Sequence, residues 1–171
     1  VGTNVNDFYR IDTTPPNDPG YLWLGSYPFL KVNLNGERFM NESQPYQFDM
    51  NGSSLQPGSV EVTIWSEDTM QEKVLKKFHT LGCSRLGFPG IYKASEARKE
   101  VQDRIKDGLV KKANTIDDLA KQLHLPVDNL KKSITRYNQI CQDGNDSDFG
   151  KEQYRLYPVN NGPYYGAWLS G

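Results

Sequence analysis

Apolar and polar positions recur along this chain with two different periods, and the periods divide it. Val60-Glu61-Val62-Thr63-Ile64-Trp65 alternates every second residue, which predicts a β-strand. Upstream, Phe29-Leu30-Lys31-Val32-Asn33 and Arg38-Phe39-Met40 flank an Asn35-Gly36 step. Asn-Gly readily takes the positive φ angles of a type I′ turn, so the segment predicts a β-hairpin. The stretch through Gly52-Ser53-Ser54 is polar and is assigned no element. Met70 to Phe78 predicts a helix, followed by a Gly-rich loop from Gly82 to Gly90. Ser95 is placed to cap a charged helix whose Val101, Ile105 and Leu109 form one apolar stripe at a spacing of four. Thr115-Ile116-Asp117-Asp118 resembles a capping box with Asp in place of Glu, opening a short helix to Leu123. Pro126 suits the first turn of a last helix, and Leu130, Ile134, Tyr137 and Cys141 share one face of it. The first twenty residues, ending in Thr13-Thr14-Pro15-Pro16-Asn17-Asp18-Pro19-Gly20, read as irregular. Pro158 to Gly171 reads as extended and aromatic. The sum is an α+β fold, a small β-sheet with a hairpin packed against several helices.

Composition narrows the functional classes. A chain of 171 residues with 36% hydrophobic content suits one domain with a real core. Twenty basic residues against 21 acidic ones leave a net charge of −1, so nucleic acid and anionic membranes are not indicated as partners. No apolar run approaches the roughly 20 residues that span a bilayer. The chain opens at Val1 with no visible signal peptide, which points to a fragment or a processed form and leaves bacterial cytoplasm and cell envelope both open. Cys83 and Cys141 read as unpaired thiols. His79 and Cys83 lie four apart, but His124 and Cys141 add no second close pair, which argues against zinc. Neither GxGxxG nor GxxxxGK[ST] occurs, so the chain carries no dinucleotide or phosphate cradle of its own.

One segment is denser in chemistry than the rest. Val32-Asn33-x-x-Gly36-x-Arg38-Phe39-Met40-Asn41-Glu42 resembles the VNxxGxRFxNE segment of the succinate dehydrogenase and fumarate reductase flavoprotein superfamily. Three later pieces agree in order. Thr115-x-x-x-Leu119-Ala120 with Leu130-x-x-x-Ile134-x-Arg136-Tyr137-Asn138 resembles that family's helix pair ending in RYN. Asp146-x-Asp148-Phe149-Gly150-Lys151 is similar to its D-x-D-F-G-K loop, and Pro163-Tyr164-Tyr165 to its PYYA strand. The resemblance implies a capping domain over residues 1–171, with an entry segment at 1–27 and a cap core at 28–168. It further implies FAD as cofactor, held mainly by a flavin domain of the same full-length protein that flanks this chain on both sides. The isolated chain is then expected to be inactive.

The resemblance also assigns roles. Fumarate reductases add a hydride from the flavin to one alkene carbon and a proton to the other, and their proton donor is the Arg of NExxxR. Here Tyr46 stands at that position, four residues after Glu42. Where those enzymes carry the TExxRG proton relay, this chain has Gly20-Tyr21-Leu22-Trp23-Leu24-Gly25-Ser26-Tyr27. An alkene carbon receiving hydride builds carbanion character on its neighbour and needs a positioned acid; a phenol can serve, as tyrosines do in the related ketosteroid dehydrogenases. Tyr46 and Glu42 are therefore the candidate catalytic residues, and Tyr21, Trp23 and Tyr27 the candidate substrate contacts. Losing the arginine weakens the case for a small dicarboxylate, and the aromatics favour a larger, flatter alkene. Each position has a plainer reading beside it. Glu42 orients a loop or caps a helix, Arg38 ties the hairpin to the domain, Tyr46 packs after Pro45, and the upstream aromatics serve as core or inter-domain contacts. Two alternatives stand beside alkene reduction: desaturation of the ketosteroid type, and a non-enzymatic module binding carbohydrate or protein through exposed aromatics.

Overall fold

The computed structural model describes residues 7–8, 22, 24, 27–44, 46–79 and 93–170. Five strands run antiparallel: β1 (Asp7–Phe8), β2 (Leu30–Val32), β3 (Val60–Ser66), β4 (Lys111–Ala113) and β5 (Tyr164–Ser170). Their order is β1-β5-β3-β2, with β4 also pairing β5. The predicted strand over Val60–Trp65 is the centre of this sheet, with Leu30 opposite Ile64 on one side and Gly166 opposite Ile64 on the other. Its period-two pattern suggests one wet face, yet every residue of β3 is buried. Helices cover both faces.

One face packs Leu30, Val32, Val62, Ile64 and Trp168 against α4 (Ile116–Gln122) and α5 (Val127–Asp143), through Leu119, Leu130, Ile134, Tyr137 and Ile140. The other packs Phe29, Trp65, Tyr165 and Leu169 against α2 (Glu72–His79) and α3 (Ala94–Lys106), through Leu75, Phe78, Ala97 and Val101. Burying apolar faces on both sides supplies most of the drive to fold. Gly166 permits the close approach on the α4 side, because a Cβ there would lie 2.6 Å from Leu123 Cδ1.

Several local expectations change. The hairpin reduces to one bridge, Val32 to Arg38. Its turn closes through Gly36 N–H to Asn33 O at 2.9 Å and Asn33 N–H to Glu37 O at 2.9 Å, and Gly36 takes a φ of 76° while Asn35 does not turn positive. That is a three-residue loop with a left-handed glycine, not type I′. A Cβ on Gly36 would meet the backbone N of Leu130 at 3.0 Å, so α5 packs directly against the turn. The helix read over Met70–Phe78 splits into a 3₁₀ turn, Glu67–Met70, and α2, separated at extended Gln71. Lys93, not Ser95, sits at the N-cap of α3, and Leu109 joins the core beyond the helix end. Thr115 caps α4 as expected, accepting Asp118 N–H at 3.1 Å. Pro126 is the N-cap of α5 rather than a residue inside its first turn, and Ile140 is buried where Cys141 is only half-buried. Among the strands and α-helices three have no forecast: β1 inside the first twenty residues, the short β4, and α1 (Tyr46–Ser54) in the polar stretch. The Gly82–Gly90 loop and Cys83 lie outside the described residues.

Candidate functional site

Three of the four sequence motifs meet around one guanidinium. The turn after β2 delivers Arg38, whose Nε donates to Glu42 Oε1 at 2.8 Å and whose Nη2 donates to Glu42 Oε2 at 2.9 Å. The same guanidinium reaches Asp146 through Nη1 at 3.1 Å and Nη2 at 2.7 Å. Tyr137 and Phe149 cover it, with ring centroids 5.1 and 5.0 Å from Cζ. Lys151 closes the frame, 3.1 Å from Glu42 Oε2, and donates to Tyr137 Oη at 2.8 Å and to Pro28 O at 2.5 Å. Asp146 also accepts the backbone N–H groups of Asp148, Phe149 and Lys151, which shapes the loop after α5. Asn41 donates to Gly150 O, and Asn138 bridges to the backbone of Val159. The RYN and D-x-D-F-G-K residues are thus partners of the VNxxGxRFMNE residues.

The electrostatics follow from that packing. Burial opposes charge on Glu42, but Lys151 and Arg38 outweigh it and hold its carboxyl below the usual range. Burial also opposes charge on Asp146, yet Arg38 and the loop N–H groups hold that carboxyl down at about 2. Desolvation lowers Lys151 despite Glu42, and raises the Tyr137 phenol well above its ordinary value. Burial pushes the Cys141 thiol up to about 11, which leaves it un-ionised at neutral pH.

A second buried polar cluster has no counterpart in the sequence reading. Lys31 of β2 donates to Glu61 of β3 and to Asp49 of α1, the latter at 3.0 Å. Ser53 of α1 donates to Glu61 Oε2 at 2.5 Å. Burial raises the Glu61 carboxyl above its normal range, against the pull of Lys31 and Ser53. The two clusters join where Lys31 N–H approaches Glu42 Oε1 at 3.4 Å. Lys31 between Leu30 and Val32, and Glu61 between Val60 and Val62, are the residues that mark them in the sequence.

The forecast site residues fall in different places. Tyr46 opens α1, and the side chain lies outside the described residues, as do Tyr21 and Trp23. Glu42 is 1% exposed and its carboxylate is engaged by Arg38 and Lys151. That geometry suits the loop-orienting reading of Glu42. Tyr27 is fully buried, with its ring 5.9 Å from Phe29 and 6.5 Å from Phe78. It is a core contact in this fold, in keeping with the plainer of its two readings. The exposed-aromatic module loses ground as well, because Trp65, Trp168, Tyr137 and Tyr165 are buried and Phe48 and Phe149 are the described aromatics that stand exposed.

No family model matches the chain. It is 32% identical to a vinyl phenol reductase of Lactiplantibacillus plantarum over 99% of its own length and 36% of that protein's. It is 24% identical to a urocanate reductase of Eggerthella lenta, covering 96% of this chain and 25% of the relative. It is 29% identical to a 3-oxosteroid 1-dehydrogenase of Mycolicibacterium smegmatis, covering 80% and 25%. The open conformation of a flavocytochrome c3 fumarate reductase shares the fold over 96% of this chain and 24% of that one, with TM-score 0.65 and 19% identity. A solution structure of a fumarate reductase flavoprotein subunit from Lactobacillus plantarum matches 100% of this chain and 95% of that one, with TM-score 0.59 and 20% identity. The chain spans about a third or less of the curated relatives it matches. With its motif residues interlocked around Arg38, the chain is similar in sequence to part of these larger reductases and dehydrogenases and shares its fold with part of a fumarate reductase.

Proposed function

We propose that this chain closes over the flavin domain of an FAD-dependent oxidoreductase that reduces an activated C=C bond on an alkene larger than fumarate. The observation that carries this reading is the match of 99% of the chain to a vinyl phenol reductase, whose length it covers to only 36%. The strand pairing supports insertion into a larger protein: Asp7 faces Ser170 and Phe8 faces Leu169, so the incoming and outgoing segments lie side by side. Helix α1 leaves Phe48 exposed, and Leu55 just beyond it is exposed too, at 64% and 84%, a surface suited to contact with another domain.

The described residues do not fit a flavin site by themselves. Arg38 and Lys151 are committed to carboxylates of the same chain, and no phosphate-cradling glycine motif exists. FAD held by the flanking domain supplies the reducing equivalents. In this proposal the cap contributes shape, water exclusion and a proton. Glu42, anchored by Arg38 and Lys151, fixes the loop that leads into α1, and Tyr46 at the start of that helix donates the proton to the substrate carbon. The 3-oxosteroid 1-dehydrogenase relative makes the reverse direction, desaturation, the second reading.

The paired ends make a direct test possible. Residues 7–170 of the full-length protein are replaced by a short Gly-Ser linker joining the two flanks. Vinyl phenol and urocanate then serve as alkene probes under anaerobic conditions, with reduced methyl viologen as electron donor. The shortened protein is expected to retain FAD and lose turnover. Turnover of the alkene at the full-length rate without this domain would refute the proposal.

A further inference from the structure

Helix α1 is fastened differently from its neighbours. The other helices sit on the sheet through apolar side chains: Leu75 and Phe78 in α2, Ala97 and Val101 in α3, Leu119 in α4, and Leu130 and Ile134 in α5. Among the described side chains of α1, the buried ones are Asp49 and Ser53, one turn apart and both polar. Both engage charges that rise from the sheet. Asp49 accepts from Lys31 at 3.0 Å, and Ser53 donates to Glu61 at 2.5 Å, while Lys31 and Glu61 bind each other across β2 and β3. Lys31 stands opposite Thr63, so Glu61 is its diagonal neighbour on the same face of the sheet. Lys31, Glu61 and Asp49 are all fully buried.

Apolar contact has no direction, so a helix resting on it can roll or slide at little cost. Charge-assisted hydrogen bonds have both length and direction. A buried ammonium held between two carboxylates has one good arrangement, because any displacement leaves a charge without a partner in a dry interior. Asp49 lies three residues after Tyr46, one turn along the same helix.

We propose that Lys31 and Glu61, acting through Asp49 and Ser53, are positioning residues that fix the register of α1 on the sheet and so set the place of Tyr46. The proposal rests on the reading of Tyr46 as proton donor. The charged groups that face the cluster come from three elements besides β2: Glu61 from β3, Asp49 from α1, and Glu42 from the loop before α1. Lys31 is the cation that joins them, and through its N–H the seat of α1 is continuous with the Arg38 frame. One connected network thus holds the start and the body of the helix.

The test uses the full-length protein and two readouts, amide hydrogen exchange across residues 47–54 and anaerobic turnover of vinyl phenol with reduced methyl viologen. Asp49→Asn is expected to speed exchange in α1 by about tenfold to hundredfold, as loss of one charged hydrogen bond does, while exchange in β3 stays unchanged. The same variant is expected to lower kcat, since misplacing a reacting group by about 1 Å can cost about a hundredfold. The combined variant Lys31→Met, Asp49→Leu, Glu61→Leu replaces the cluster with apolar groups and is expected to recover thermal stability without recovering kcat. Wild-type kcat in that variant would reduce the cluster to a core contact and overturn the proposal. Should that variant fail to fold, Ser53→Ala removes one hydrogen bond and no charge. Unchanged α1 exchange and kcat in Ser53→Ala together would overturn the proposal equally. Tyr46→Phe run alongside separates the two failures. Full turnover there removes the acid, whereas unchanged exchange in Asp49→Asn removes the seat.

Discussion

Replacing Arg38 by Met tests whether burial or bond count decides what an arginine contributes. Arg38 makes four hydrogen bonds to two carboxylates, with its own side chain 6% exposed and those of Glu42 and Asp146 fully covered. Arg136 offers the control. It binds Asp148 through two short bonds, 2.9 and 2.6 Å, but its side chain is 50% exposed. Methionine preserves most of the apolar stem in both variants, so the guanidinium alone is removed. At Arg38 this leaves Glu42 and Asp146 without their shared cation, with Lys151 as the cation still beside Glu42. Breaking a buried ion pair from one side costs about 3–5 kcal/mol. An exposed pair is worth about 0–1 kcal/mol, because water and salt screen it. At about 2–4 °C per kcal/mol for a domain of this size, Arg38→Met should lower Tm by roughly 6–20 °C and Arg136→Met by no more than about 4 °C. Urea unfolding of the isolated chain, followed by far-UV circular dichroism, reads the same difference as free energy. Adding Glu42→Gln and Asp146→Asn to Arg38→Met should return part of the loss, since the stranded charges are then gone. Equal destabilisation by the two single variants would refute the reasoning.

Four further outcomes follow from the same structure. Thr115→Ala removes the cap of α4 and should cost about 1 kcal/mol in urea unfolding. Asp146 titrates at about 2 in the folded chain against about 3.9 unfolded, so its contribution is complete above about pH 4 and disappears as pH falls through about 2; Asp146→Asn should be less stable at neutral pH and flatten that acid limb in pH-resolved melts. The two apolar cores lie wholly within this chain, so the isolated domain should unfold cooperatively with a midpoint that added FAD leaves unchanged, as calorimetry would show. In the full-length protein, Tyr46→Phe should lower kcat by about 10²–10⁴-fold while flavin binding and its reduction by an external donor persist, a result that normal alkene turnover would contradict.

The central strand, the capped helix after Thr115 and the long last helix were legible because their signals are local. A period of two, a Thr three residues before an acid, and apolar residues four apart each survive without knowledge of the tertiary fold. Helix α1 was not legible, because its described buried residues are polar and its exposed ones include Phe48, the reverse of an amphipathic pattern. The turn at Asn35-Gly36 was half legible. Gly36 does take the positive φ, but the pairing after the turn stops at the single bridge from Val32 to Arg38. Tyr27 reads as a site residue from the replaced relay segment, yet a tyrosine among leucines and aromatics is equally a core residue, and burial decides for the core.

The family motif itself carries a different meaning once the partners are known. Its residues are spread over some 120 positions, and the structure gathers Arg38, Asn41, Glu42, Tyr137, Asp146 and Lys151 within reach of one another. Five of them are buried, the side chain of Arg38 is 6% exposed, and each has a charged or hydrogen-bonding partner from a distant segment, so exchanging one alone strands another. Interdependence of that kind is a sufficient physical reason for a recognisable motif, without any of these groups touching a substrate. Just outside the frame, at the start of α1, Tyr46 stands where the resemblance leads one to expect arginine.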